Sequence, residues 1–120
     1  RPDRKEAPAR KELPAYQVTH PEADNAFPSY GAPTRTVYQV LHDRPREGIG
    51  HLRLRVVWPF PEFSLSEFPE AKAFLVPEMN LGQISREIER HTDVPVIPVP
   101  KIGGDLHTPA ELGKALDGAP

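Results

Sequence analysis

Apolar positions along this chain change their spacing from stretch to stretch, and the change separates strand segments from helix segments. In residues 51–58, Leu52, Leu54, Val56 and Trp58 alternate with His51, Arg53 and Arg55, a period of two that predicts a strand with one apolar face. Shorter apolar runs at 26–30, 72–77 and 94–99 predict three further strands. Between them the spacing lengthens. Val37, Val40 and Leu41 form an i, i+3, i+4 stripe on a helix that starts at Pro33, whose missing N–H would be unpaired in a first turn. It stops near Asp43, because Arg44 precedes a proline and is driven out of helical dihedrals. Leu81, Ile84 and Ile88 make a second stripe, with Asn80 as the cap and Gln83 as the third helical residue. Thr108, Pro109 and Glu111 have the order of a capping box with proline in first position, so a last helix begins at Pro109 with Leu112 and Leu116 inward. SLSE at 64–67 predicts a short capped helix closed by Pro69.

Strands that alternate with helices build a mostly parallel sheet with helices on its faces. The expected fold is a three-layer α/β/α domain over residues 26–117, with about four or five strands. Residues 1–25 hold five basic and five acidic side chains and four prolines, and only Leu13, Tyr16 and Val18 are sizeable apolar groups. That composition predicts a linker or arm, whose first eleven residues could dock on a partner. Proline is unusually abundant, at 16 of 120 residues. Pro28, Pro77, Pro95, Pro98 and Pro100 fall in or beside predicted strands, where each removes a ladder donor. Edge positions or bulges would accommodate them, and at least one strand is expected to be shorter than its apolar run.

Composition narrows the chemistry. With 15 Lys and Arg against 17 Asp and Glu, the formal charge of -2 gives no overall electrostatic footprint for nucleic acid or an anionic membrane. No apolar run approaches the ~20 residues of a membrane span, which fits a cytoplasmic protein. There is no cysteine, so the chain can supply neither a thiolate nucleophile nor ligands for its own iron–sulfur cluster. The chain opens on Arg1 without an initiator methionine and is expected to be a piece of something longer.

Two junctions, after Tyr30 and after Glu78, place helix starts at what should be the same rim of the sheet, where small anions can bind. Tyr30, Gly31, Glu78, Asn80, Gly82 and Gln83 are therefore the candidate site, as an interdomain or subunit contact or as an anion site, with Gly82 leaving room for close approach. Plain helix capping is the simpler account of the same residues. The histidines at 20, 42, 51, 91 and 107 show no metal-binding spacing and read as surface or strand-edge side chains. Ser29 lacks the surroundings of a nucleophile elbow, nucleotide-binding glycine fingerprints are absent, and Gly103, Gly104 and Asp105 read as a turn. Arg53 and Arg55 form a basic stripe that is either solvated and ion-paired or in contact with an acidic partner.

The order SYGAPTR (29–35), REGIG (46–50), LRLRVVWPFPE (52–62), PEMNLGQ (77–83), KIGG (101–104) and TPAEL (108–112) resembles the C-terminal domain of the alpha subunit of 2-oxoacid:ferredoxin oxidoreductases, with WPFP and EMNLGQ the most specific pieces. The resemblance implies a transketolase C-terminal-like fold and a non-catalytic assembly role in an enzyme that oxidatively decarboxylates a 2-oxoacid to its acyl-CoA and reduces ferredoxin. It also implies that thiamine diphosphate, Mg and the iron–sulfur clusters sit on other domains or subunits. The implied partners are the beta subunit and the N-terminal domain of the same alpha subunit. Pro28 and Pro77 depart from the aliphatic residues usual in that family, and Pro45 breaks a helix that usually runs further. A small-anion or nucleotide-binding regulatory module, and the equivalent domain of a transketolase or a 2-oxoacid dehydrogenase beta chain, are the rival readings.

Overall fold

A computed structural model describes residues 13–79, 82–101 and 106–120. Five strands form one sheet in the order β1-β3-β2-β4-β5. They are β1 (Tyr16–Thr19), β2 (Asn25–Tyr30), β3 (Gly50–Leu54), β4 (Ala73–Glu78) and β5 (Val96–Pro100). All neighbouring pairs are parallel except β1 with β3. Helices α1 (Pro33–Asp43), α2 (Gln83–Glu89) and α3 (Pro109–Asp117) cover the two faces.

The inner strands read as continuous apolar runs because both of their faces are covered. On one face Ala26, Leu52, Leu54, Phe74 and Val76 pack with Ile84 and Ile88 of α2 and with Leu65 and Phe68. On the other, Phe27 and Leu75 pack with Val37 and Val40 of α1 and Leu112 of α3. Each fully buried Leu, Ile or Phe contributes about 1.5–3 kcal/mol. The result is the three-layer α/β/α arrangement that the alternation of patterns predicts.

The helix boundaries follow local chemistry. Pro33 is the first residue of α1, and Arg44 leaves the helical region (φ -127°, ψ 56°) before Pro45. At α3 the capping box is complete: Glu111 N–H donates to Thr108 Oγ1 at 3.1 Å, and Thr108 N–H donates to Glu111 Oε1 at 2.8 Å. The SLSE box does not form. Ser64 donates its hydroxyl backward to the Pro61 carbonyl at 2.8 Å, and only a single 3-10 turn, Leu65–Glu67, follows.

Three expectations change. Tyr16–Thr19, read as part of a linker, is an antiparallel edge strand whose pairing runs from Tyr16 with Leu54 to Thr19 with His51. The strand expected over 51–58 ends at Leu54, after which Val57 is buried while Trp58 is 57% exposed. His51, placed by alternation on a polar face, is 1% exposed, since α1 covers that face too.

The strand prolines are accommodated by direction. Phe74 N–H donates to the Pro95 carbonyl and Lys101 N–H to the Glu78 carbonyl, so the odd-numbered residues of β5 face β4. Pro98 and Pro100 therefore face the open border and remove donors that no neighbour needs. By the same alternation Pro77 faces β2, at a level where β2 and β4 are no longer paired.

Candidate functional site

β2 and β4 are in register only at Asn25 with Ala73 and Ala26 with Phe74. Beyond those pairs the ladder lapses, at a level where Pro28 and Pro77 bring no N–H, while the two strands stay side by side. β2 leads through α1 to β3 on one side, whereas β4 and β5 lie on the other. A parallel sheet opens a crevice outside its carboxyl ends where its connections leave in opposite directions. Here the crevice has a volume of about 350 Å³ and is lined by Tyr30, Gly31 and Pro33 from the first junction and by Pro77, Met79 and Ile84 from the second. The two junctions singled out in the sequence thus share one rim. Gly31 turns the chain there with φ +74°.

The other candidates distribute unevenly. Gln83 is the first residue of α2, not its third, and its side chain is exposed. Gly82 precedes it with φ +79°, and a Cβ there would meet only the Arg86 guanidinium at 4.0 Å. Glycine is thus required by backbone conformation and not by a close approach. Asn80, with Leu81, lies outside the described residues, as do residues 1–12 and the turn at 103–105.

Neither helix start offers a row of free donors. At α1, Thr34 N–H bonds the Gly31 carbonyl at 3.0 Å, Arg35 N–H bonds the Ala32 carbonyl at 3.3 Å, and Pro33 has no N–H. At α2 the anion is internal. Glu78, 1% exposed at the end of β4, accepts at Oε2 from both the backbone N–H and the hydroxyl of Ser85, the latter at 2.7 Å. Its Oε1 is buried and has no partner among the described residues. The crevice suits an apolar group better than a phosphate.

A buried polar cluster lies nearby that the sequence reading did not foresee. Ser29 Oγ is 2.8 Å from His51 Nε2 and 2.9 Å from Thr34 Oγ1, and the His51 ring meets Tyr38 edge-on at 4.9 Å. Burial, with a smaller contribution from the Arg53 charge, pushes the His51 pKa down to about 4, so the ring is neutral. Its Nδ1 has no partner among the described residues. A serine–histidine pair with no carboxylate to orient the ring, and with both residues 1% exposed, is not built for nucleophilic attack. It ties β2 to β3 and α1. His107 is likewise buried, with Nε2 against the Val99 carbonyl, where the sequence suggested a surface position.

Among the described residues no group of three or more side chains is gathered that could hold a metal ion, and no helix is long and apolar enough to cross a membrane. Without cysteine, the donor set does not fit an iron–sulfur cluster.

Residues 23–112 match the family described as pyruvate:ferredoxin oxidoreductase core domain II. The chain is 41% identical to 2-oxoglutarate synthase subunit KorA of Methanocaldococcus jannaschii, over 91% of this chain and 31% of that protein. It is 40% identical to the protein of the same description from Methanothermobacter marburgensis, over 76% of this chain and 26% of that one. The chain therefore spans about a third or less of these curated relatives. The fold superimposes, with a TM-score of 0.78 and 25% identity, on a 2-oxoglutarate:ferredoxin oxidoreductase from Magnetococcus marinus with 2-oxoglutarate, coenzyme A and succinyl-CoA bound, covering 88% of this chain and 19% of that one. Matched across both junctions and every strand of the parallel sheet, this chain belongs to the pyruvate:ferredoxin oxidoreductase core domain II family.

Proposed function

We propose that this chain is the non-catalytic assembly domain of a 2-oxoacid:ferredoxin oxidoreductase, in an alpha-type subunit, with 2-oxoglutarate as the substrate of the whole enzyme. The observation that carries this reading is that the chain's potential chemical groups are turned inward and bonded to each other: Ser29 with His51, and Glu78 with Ser85. What remains outside is an apolar crevice and exposed aromatic and basic side chains, which suit contact with other domains. The named relatives, both 2-oxoglutarate synthase subunits, support the choice of substrate. Thiamine diphosphate, Mg and the iron–sulfur clusters belong, on this reading, to other domains and to a beta-type subunit, and ferredoxin meets the assembled complex. The small-anion module is the weaker reading, because the first-turn donors of α1 are engaged and Glu78 already takes the Ser85 N–H at the start of α2.

The test is reconstitution. The full-length gene product with its companion subunit should reduce ferredoxin or methyl viologen when given 2-oxoglutarate and coenzyme A, and absence of that activity in a complex with full cofactor content would overturn the assignment. Calorimetry on the 120-residue chain with thiamine diphosphate and Mg should show no heat of binding, whereas stoichiometric binding would refute the non-catalytic role.

A further inference from the structure

We infer that Arg53, Arg55 and Arg35, on the side of the β2–α1 junction away from the crevice, form a docking surface for a carboxylate-rich segment of a companion subunit. Two adjoining clefts define it. One, of about 410 Å³, is lined by Tyr30, Thr34, Arg53 and Arg55. The other, of about 360 Å³, adds Arg35 and Tyr38 and shares Gly31, Thr34 and Arg53 with the first. Among the described residues no acidic side chain lines either cleft.

The two strand arginines converge on one neutral atom. Arg53 Nη1 and Arg55 Nη2 both donate to Gln17 Oε1, at 3.3 and 3.0 Å. Arg53 also reaches the Tyr38 hydroxyl at 3.5 Å, and Arg55 the Pro14 carbonyl at 3.3 Å. Among the described residues no carboxylate lies within 4.0 Å of Arg35, Arg53 or Arg55, although the chain as a whole carries a formal charge of -2. Among the described residues, holding two guanidinium groups on a shared amide oxygen brings no negative charge to offset their repulsion.

The donors present select the kind of anion. A phosphate cradle uses backbone N–H groups at a helix start, and at α1 those of Thr34 and Arg35 are bonded within the turn while Pro33 has none. What the surface offers is guanidinium forks, which hold carboxylates and phosphates alike two bonds at a time. Tyr30 and Tyr38, 39% and 44% exposed, flank the forks, and arginine with tyrosine is the pairing enriched at protein interfaces. Charge complementarity, with the exposed tyrosines beside the forks and the α1 backbone donors already engaged, favours an acidic polypeptide surface.

The inference rests on the subunit reading above for the complex in which it is tested. In the purified complex, Arg53→Lys/Arg55→Lys keeps the charge and introduces amines that a zero-length carbodiimide joins to carboxylates in contact. The expected result is a cross-link, mapped by mass spectrometry, to Asp or Glu of the companion subunit. Arg53→Gln/Arg55→Gln should weaken assembly roughly tenfold or more at low salt, with the difference shrinking as salt is raised, while Arg46→Gln leaves assembly unchanged. Cross-links confined to Asp3, Glu6 or Glu12 of this same chain would overturn the surface, as would assembly that the Gln variant leaves intact. A full-length chain that purifies without any companion would overturn both this surface and the subunit reading.

Discussion

Glu78, at the end of β4, and Ser85, in the first turn of α2, are joined through both of the serine's donors, its backbone N–H and its hydroxyl, on the single atom Oε2. The strand thus supplies the negative charge that the start of the following helix favours, and the carboxylate is 1% exposed.

Breaking this link from either end should be costly and the two losses should overlap. Ser85→Ala is expected to lower stability by about 1–3 kcal/mol, since it removes a charge-assisted donor from a buried acceptor. Glu78→Ala should cost at least as much. In urea denaturation the double variant should fall short of the sum of the single losses by roughly 0.5–3 kcal/mol. Strict additivity would mean that the bond does not support α2.

The buried His51 predicts how stability follows pH. Its folded pKa of about 4 lies below the unfolded value of 6.5, so protonation favours the unfolded chain. The folded state keeps its full stability from this residue above about pH 6.5 and loses it as pH falls toward 4, by at most about 3 kcal/mol. His51→Gln, which retains a partner for Ser29 but does not titrate, should flatten the urea midpoint between pH 7 and 4. An unchanged slope in that variant would assign the dependence to other groups.

The contrast between His51 and the helices shows what the sequence could disclose. Helix starts and stops depend on residues within a few positions of one another, so Pro33, Arg44 and the Thr108–Glu111 box were readable before any fold was known. The order of patterns also disclosed the layers and the shared rim of the two junctions. The burial of His51 was not readable, because its alternation with Leu52 says which face it occupies but not that Tyr38 covers that face. β1 escaped for a similar reason. Its four residues carry only Tyr16 and Val18 as apolar signal, and the strand exists because β3 offers a free edge more than 30 residues later. In the site, Tyr30, Gly31 and Glu78 were legible as junction residues, but the bonding of Glu78 to Ser85 required the packing of α2.

Two glycines should respond differently to alanine. At Gly50 a Cβ would lie 2.9 Å from both Ala26 Cβ and Phe68 Cε1, inside a packed core, and Gly50→Ala should destabilise by about 1–3 kcal/mol. At Gly113 the obstacle is the Arg44 guanidinium at 2.6 Å, the far end of a flexible side chain. Gly113→Ala should therefore change stability little, a helix-propensity gain of up to about 1 kcal/mol offsetting a weakened Arg44–Asp117 pair. Thermal melts of both variants decide the point.

The box at the start of α3 makes a fourth prediction. Thr108→Ala should cost about 1 kcal/mol and speed hydrogen exchange in the first turn of α3. The Lys101 ammonium first, and then the Thr108 backbone N–H, hold the Glu111 carboxyl down at about 2. Its contribution is present above the ordinary carboxylate value and is lost as pH falls from about 4.5 toward 2. A chain with Lys101→Met should lose this acid sensitivity in part.

Pro98 and Pro100 on the outer side of β5 also govern how the domain can meet its neighbours. A strand arriving from another polypeptide would find two of the three outward hydrogen-bond donors of β5 missing along that border, which opposes extension of the sheet there. On this side larger assemblies must grow through side-chain surfaces at the strand ends and helix faces, and the same end-stop keeps copies from stacking through β5.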